Sequence, residues 1–194
     1  MISLILDSSN VYLNVGLAIN SKLIDKISYE AWQKQSEYMI PEIHNILSRN
    51  KIDPKNVNEI LVTIGPGSYT GVRIALTIAK VYGYSLNIPV YTFSSLEVLE
   101  VKDKYSICLE NARSKRSYIG VYFNKEVILK DQVLTNTEVL EYISKHQDYA
   151  LCGDLEYLNL SSSPSDIFNT MLYLKDESKR VLDIKALKAI YLKD

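Results

Sequence analysis

Apolar residues recur along the chain with two periods. Residues 2–6, 11–18 and 23–28 alternate or run apolar at strand length, separated by the turn-forming Asp7-Ser8-Ser9-Asn10 and Asn20-Ser21, so three strands in a meander are predicted. From Ser36 onward Met39, Ile40, Ile43, Ile46 and Leu47 fall at three- and four-residue steps, which predicts a helix with one apolar face ending near Asn50. Pro41 lies early enough to be tolerated in its first turn or so. Residues 60–64 read as a short buried strand, 65–71 as a loop and 70–86 as a second helix rich in small residues. Pro89 restarts a strand at 90–92, and Ser94-Ser95-Leu96-Glu97 has the form of a capping box that opens a short helix.

The same order follows again. Strands are predicted at 105–109, 118–123 and 127–129, then a helix capped at Thr135-Asn136-Thr137-Glu138, a strand at 149–152 and a helix after Asp166. Two βββαβα units in series predict a duplicated α/β fold with domains at 1–103 and 104–194, the second shortened and ending in a lysine-rich tail.

Composition narrows the function. With 47% hydrophobic and 23% charged residues the chain is ordinary and globular. Its first residues, Met1-Ile2-Ser3-Leu4-Ile5-Leu6-Asp7, fit neither a signal peptide nor an anchor, and no apolar run approaches the roughly 18 residues of a membrane span. A soluble cytoplasmic protein is expected, with no membrane contact. Cys108 and Cys152 sit in apolar stretches and read as small buried side chains of a reducing compartment. Twenty-two basic and 23 acidic residues give a net charge of −1, so no global field holds nucleic acid, and any RNA is expected to be gripped by another subunit. His44 and His146 are far apart and outside any HxxxH pattern, and no GxSxG elbow exists, so neither a metal site nor a hydrolase triad is expected.

Three segments carry candidate chemistry. The chain has seven glycines, and three of them fall within Gly65-Pro66-Gly67-Ser68-Tyr69-Thr70-Gly71-Val72-Arg73, between a predicted strand and helix. Such a loop presents backbone N–H groups to an anion or a partner, or is simply a tight turn; without a Lys it is not a Walker loop. Asp7-Ser8-Ser9 ends the first strand, where a carboxylate and hydroxyls suit a phosphate or hydrated magnesium, a satisfied turn aspartate being the alternative. Asn111-Ala112-Arg113-Ser114-Lys115-Arg116 is a short basic cluster that either meets nucleic acid or is merely solvated.

Together these segments resemble the bacterial TsaB family. The resemblance rests on Leu6-Asp7-Ser8-Ser9 for a D-T-S turn, Ser36-Glu37 with Pro41 for HSE-x-L-x-P, and above all 65–73 for GPGSFTGLR. Lys80, Pro89 and Ser94-Ser95-Leu96-Glu97 continue the pattern in order. Gln35 replaces a His, Tyr69 a Phe, Asn111-Ala112-Arg113 stands for D-A-R and 189–193 for P-x-Y-L-R. The resemblance implies an actin-like, ribonuclease H-like fold of the ASKHA superfamily. It also implies a non-catalytic dimerisation subunit. TsaD transfers threonylcarbamoyl to the adenosine beside the anticodon of tRNAs reading A-starting codons, TsaE joins as ATPase, and TsaC supplies the adenylate.

On that view ATP and metal belong to the partner subunits and the chain has no cofactor of its own, since 109–117 contains no glycine for a close nucleotide approach. TsaD is the expected direct partner, with TsaE and, indirectly, tRNA; a homodimer through the same helices is possible without TsaD. Met39, Ile43, Leu47, Ile78 and Tyr82 are the expected partner-binding anchors on the two N-terminal helices, burial in the chain's own core being the alternative for some of them. The rival reading is an actin-like ATPase or small-molecule kinase that uses Asp7 and the loop 65–71.

Overall fold

The computed structural model describes residues 1–192; Lys193, the last position of the 189–193 motif, lies outside them. Every residue of β1 (Ile2–Asp7) after the first is buried, with Leu4 and Leu6 on one face and Ile5 on the other, as a central strand covered on both sides requires. β2 (Tyr12–Ile19) pairs antiparallel with β1, and β3 (Lys22–Glu30) antiparallel with β2. β3 forms the outer edge and shows the strict half-buried alternation of a one-sided strand.

After α1 (Gln35–Arg49), β4 (Glu59–Thr63) joins parallel to β1; after α2 (Tyr69–Leu86), β5 (Val90–Phe93) joins parallel to β4. The sheet order is β3-β2-β1-β4-β5. α1 and α2 cover the Leu4/Leu6 face through Met39, Ile43, Leu47, Ala75 and Ala79.

The second sheet repeats the order. β6 (Ser106–Asn111), β7 (Arg116–Phe123) and β8 (Glu126–Thr135) form an antiparallel meander, α3 (Asn136–Lys145) follows, and β9 (Ala150–Gly153) returns parallel to β6. The order β8-β7-β6-β9 matches β3-β2-β1-β4, so the second copy stops a helix and a strand short. The capping box of Thr135 with Glu138 forms as expected; at Ser94 the N–H donates to Glu97 Oε1 at 2.7 Å, but only a single 3₁₀ turn, Glu97–Leu99 with Leu96 at its N-cap, follows in place of the expected short helix. The 127–129 strand is longer than predicted because the meander pairs along all of β8.

The stretch read as the end of the second domain packs on the first sheet. α4 (Ile167–Leu174) lays Phe168, Met171 and Leu174 on Ile5, Leu61 and Phe93, closing the face opposite α1 and α2. Lys175 Nζ meets the buried Glu59 carboxylate at 2.7 Å, which also accepts from Ser3, so the helix end is locked by an ion pair with its hydrogen bonds completed. The tail then runs along β5 and α2. Val181 N–H donates to Val90 O at 2.8 Å, Ile190 N–H to Ile64 O at 2.7 Å, and Lys80 Nζ to Lys185 O and Leu187 O. Among the described residues no helix is long and apolar enough to cross a membrane.

Candidate functional site

Asp7 ends β1 beside Thr63 at the end of β4, so the parallel pairing of two adjacent strands sets a carboxylate and a hydroxyl side by side. Asp7 is 3% exposed, and four donors surround it. Oδ1 accepts from Thr63 Oγ1 (2.5 Å), Ser9 Oγ (2.7 Å) and Ser9 N (3.1 Å); Oδ2 accepts from Asn14 Nδ2 (2.8 Å). A carboxylate so filled has its lone pairs committed to the fold.

The loop 65–71 packs directly on this hairpin. Ser68 N–H donates to Ser9 O at 2.6 Å, and Ser8 Oγ donates to Gly71 O at 2.7 Å. A Cβ on Gly67 would lie 2.3 Å from Ser9 O, and one on Gly71 2.1 Å from Ser8 O, so glycine is needed at both for close approach. Ser68 caps α2 through its hydroxyl, which accepts from Gly71 N–H at 3.2 Å. The sequence thus located the loop correctly, while the partner of its backbone is the chain's own first hairpin.

From the second sheet, Glu110 of β6 reaches the same hairpin and accepts from Asn10 Nδ2 at 3.2 Å. Glu110 is 4% exposed. Burial, then the charge of Asp7, raises its carboxyl to about 8, the Asn10 amide opposing. Gln35, at the position read as a replaced His, donates to Asn10 O at 2.9 Å and steadies the contact. Asn10 reads only as part of the turn after β1, and Asn14, Thr63 and Glu110 are not identified in the sequence, which carries no local signal for them.

A folded-state pKa above the unfolded value of about 4.3 means that, between these values, the native state holds a proton that the unfolded state has lost. Stability therefore falls as pH rises through that window and levels off above the folded value. Glu110→Gln is predicted to gain in melting temperature over the parent increasingly from about pH 5 to about pH 8.5. An equal difference at both ends, read by thermal denaturation, contradicts a neutral buried Glu110.

Beside the hairpins a cleft of about 1000 Å³ opens between β2–β3 and residues 153–168. Glu30, Asp154, Glu156 and Asp166 line it against the single cation Lys26. That balance repels a polyphosphate. Asp7 is filled by its four donors and the two hairpins touch through Asn10 and Glu110, so neither hairpin presents an open ligand among the described residues.

Three of the five expected partner anchors, Met39, Ile43 and Leu47, are corrected. Met39, Ile43 and Leu47 are 0–2% exposed and belong to the core beneath α1; Ile78 and Tyr82 are half-buried against the same core. The regular spacing marked the face turned to the sheet, because core packing is what a 3.6-residue period serves first. The apolar residues turned to solvent break that period: Tyr38 and Ile40 on α1, Val81 and Tyr84 on α2. Ile40 is 63% and Tyr84 62% exposed. At the head of α2, Tyr69 packs on Tyr191 of the tail, and the Arg73 guanidinium lies 3.9 Å from the Tyr69 ring centre and donates to Tyr191 Oη at 2.7 Å.

Comparison with known proteins places this arrangement. Residues 29–162 match the family model "TsaD: tRNA N6-adenosine threonylcarbamoyltransferase". The chain is 33% identical over 144 residues to the tRNA threonylcarbamoyladenosine biosynthesis protein TsaB of Bacillus subtilis strain 168, covering 72% of this chain and 62% of that protein. It is 29% identical over 153 residues to the TsaB of Buchnera aphidicola subsp. Schizaphis graminum, covering 76% and 71%. Among solved structures, YeaZ from Pseudomonas aeruginosa superposes with TM-score 0.74 at 20% identity over 89% of each chain. A structure described as similar to peptidase YEAZ, also from Pseudomonas aeruginosa, gives 0.79 at 19% over 99% of each. With its repeated strand order, its glycine loop seated on the first hairpin and these matches, the chain belongs to the TsaB/YeaZ family and has the actin-like, ribonuclease H-like fold.

Proposed function

We propose that the chain is a non-catalytic subunit of the machinery that makes threonylcarbamoyladenosine in tRNA, and that it works by pairing with a TsaD-type transferase. The observation that carries the reading is the set of solvent-exposed apolar residues on two helices packed side by side, Ile40 on α1 and Val81 and Tyr84 on α2. Thr70, Arg73, Thr77, Val81 and Tyr84 recur at three- and four-residue steps, so α2 offers one continuous stripe. Aromatic and aliphatic anchors of this kind, over an interface of about 1,600 Å² in total, suffice for a stable heterodimer. The tail joins the same surface through Tyr191 and through Lys185, whose Nζ lies 5.0 Å from the Tyr84 ring centre.

The committed state of Asp7 supports the non-catalytic half of the reading, as does the acidic lining of the cleft. ATP and metal then act on TsaD and TsaE, and the rival ATPase or kinase has no open ligand at Asp7 or at the loop 65–71. Sedimentation of the chain with purified TsaD from the same source tests the pairing. A joint, faster species is expected, and separate boundaries at micromolar concentration overturn it.

A further inference from the structure

Two features remain outside the partner face and the hairpin seam. The first is the turn between β6 and β7. Arg113, Ser114 and Lys115 all take left-handed backbone angles, with φ of 59°, 53° and 57°, although none is glycine. Asn111 Oδ1 holds the turn by accepting from Arg113 N–H at 2.8 Å, and Ala112 N–H donates to Arg116 O. The result is an exposed tip carrying Arg113, Lys115 and Arg116, and none of the three joins an ion pair among the described residues.

The second is Trp32, the chain's only tryptophan, which is 42% exposed in the β3–α1 loop instead of buried in either core. The Arg113 guanidinium lies 5.5 Å from its ring centre. The Asn10–Glu110 contact closes the seam beneath, so a tip from one sheet and a loop from the other form one surface. Glu30 and Glu37 flank the loop, so its positive charge comes from the hairpin and from Lys34. A partly exposed indole beside cations that join no ion pair among the described residues is the combination that holds a single strand, bases stacking on the ring and phosphates meeting the cations.

We infer that Trp32 and the 113–116 hairpin tip contact single-stranded RNA directly, the indole stacking on an unpaired base and Arg113, Lys115 and Arg116 meeting the adjacent phosphates. This rests on the tRNA role proposed above, and it replaces the expectation that RNA is gripped only by another subunit.

Because Trp32 is the only tryptophan, its emission in the full chain reports this site alone. Titration with the anticodon stem-loop of a tRNA reading A-starting codons is expected to quench it, with an RNA duplex of equal length and polyglutamate without effect. In the complex with TsaD, Trp32→Ala is expected to weaken stem-loop binding about tenfold. Arg113→Ala with Arg116→Ala is expected to lower the slope of log affinity against log salt by about 1.4, at roughly 0.7 per lost phosphate contact. Melting temperature and TsaD capture of both variants stay at the parent's values. Unquenched emission at RNA concentrations that saturate the complex, quenching by polyglutamate, or parental affinity in Trp32→Ala overturns the inference. If tRNA modification proves independent of the chain, the proposed function itself fails; if modification needs the chain and these variants bind as the parent does, only the RNA contact fails.

Discussion

Ile40→Asp combined with Tyr84→Asp should abolish capture of TsaD while leaving the melting temperature almost unchanged, whereas Ile43→Asp should leave no folded protein to test. The contrast follows from three exposures. Ile40 and Tyr84 are 63% and 62% exposed and touch water in the free chain, so a carboxylate there costs the fold little, within about 0.5 kcal/mol. Ile43 is 2% exposed among Leu4, Leu6, Ile46 and Leu47, where an unpaired charge costs several kcal/mol, a large part of a total stability of about 5–15 kcal/mol. In a partner's groove the new carboxylates would be desolvated without a counter-charge, a penalty of at least about 2 kcal/mol each and more than a hundredfold in affinity together. The measurements are pull-down with TsaD and thermal denaturation. Undiminished capture by the folded double variant removes α1 and α2 from the interface.

Gly71→Ala should lower the melting temperature by roughly 10 °C or more, an effect of several kcal/mol in a chain of this size. Its Cβ would lie 2.1 Å from the carbonyl oxygen of Ser8, a backbone atom that cannot swing aside. The same residue accepts the Ser8 hydroxyl at 2.7 Å, so displacement breaks a buried hydrogen bond and lifts the start of α2 from the first hairpin. Since Tyr69 and Arg73 lie in that first turn, partner capture should weaken along with stability. Thr70→Ala, one residue earlier and exposed, is the control for stability and should leave the melting temperature close to the parent's. A Gly71→Ala melting curve that overlays the parent's would show that the loop can move off the hairpin at small cost.

Much of this architecture is legible in the residues. The apolar runs of β1 and β2, the alternation in β3, the capping box at Thr135 and the glycine-dense loop each have a local cause, and each appears where the pattern puts it. What failed was the assignment of faces. Met39, Ile43 and Leu47 carry the strongest helical period, and a strong period reports the core; the solvent-facing apolar residues are those that depart from it, such as Ile40 and Tyr84. The cleft's neighbours were hidden for another reason. Asp7 meets Thr63, and Asn10 meets Glu110, at separations of 56 and 100 residues, and no local pattern encodes such pairings. The return of α4 and the tail to the first sheet was likewise invisible, because the apolar spacing of 167–174 predicts a helix without saying which sheet it covers.

The most direct test of the central claim is reconstitution of threonylcarbamoyladenosine on a tRNA reading A-starting codons, using TsaC, TsaD and TsaE from the same source with and without this chain. Modification is predicted to require the chain, and Asp7→Asn is predicted to support it in proportion to the protein that remains folded, because Asp7 holds Thr63, Ser9 and Asn14 in place and, on the function proposed above, takes no part in the chemistry. Full modification without the chain would contradict the account, and so would a folded Asp7→Asn protein that pairs with TsaD yet yields no product.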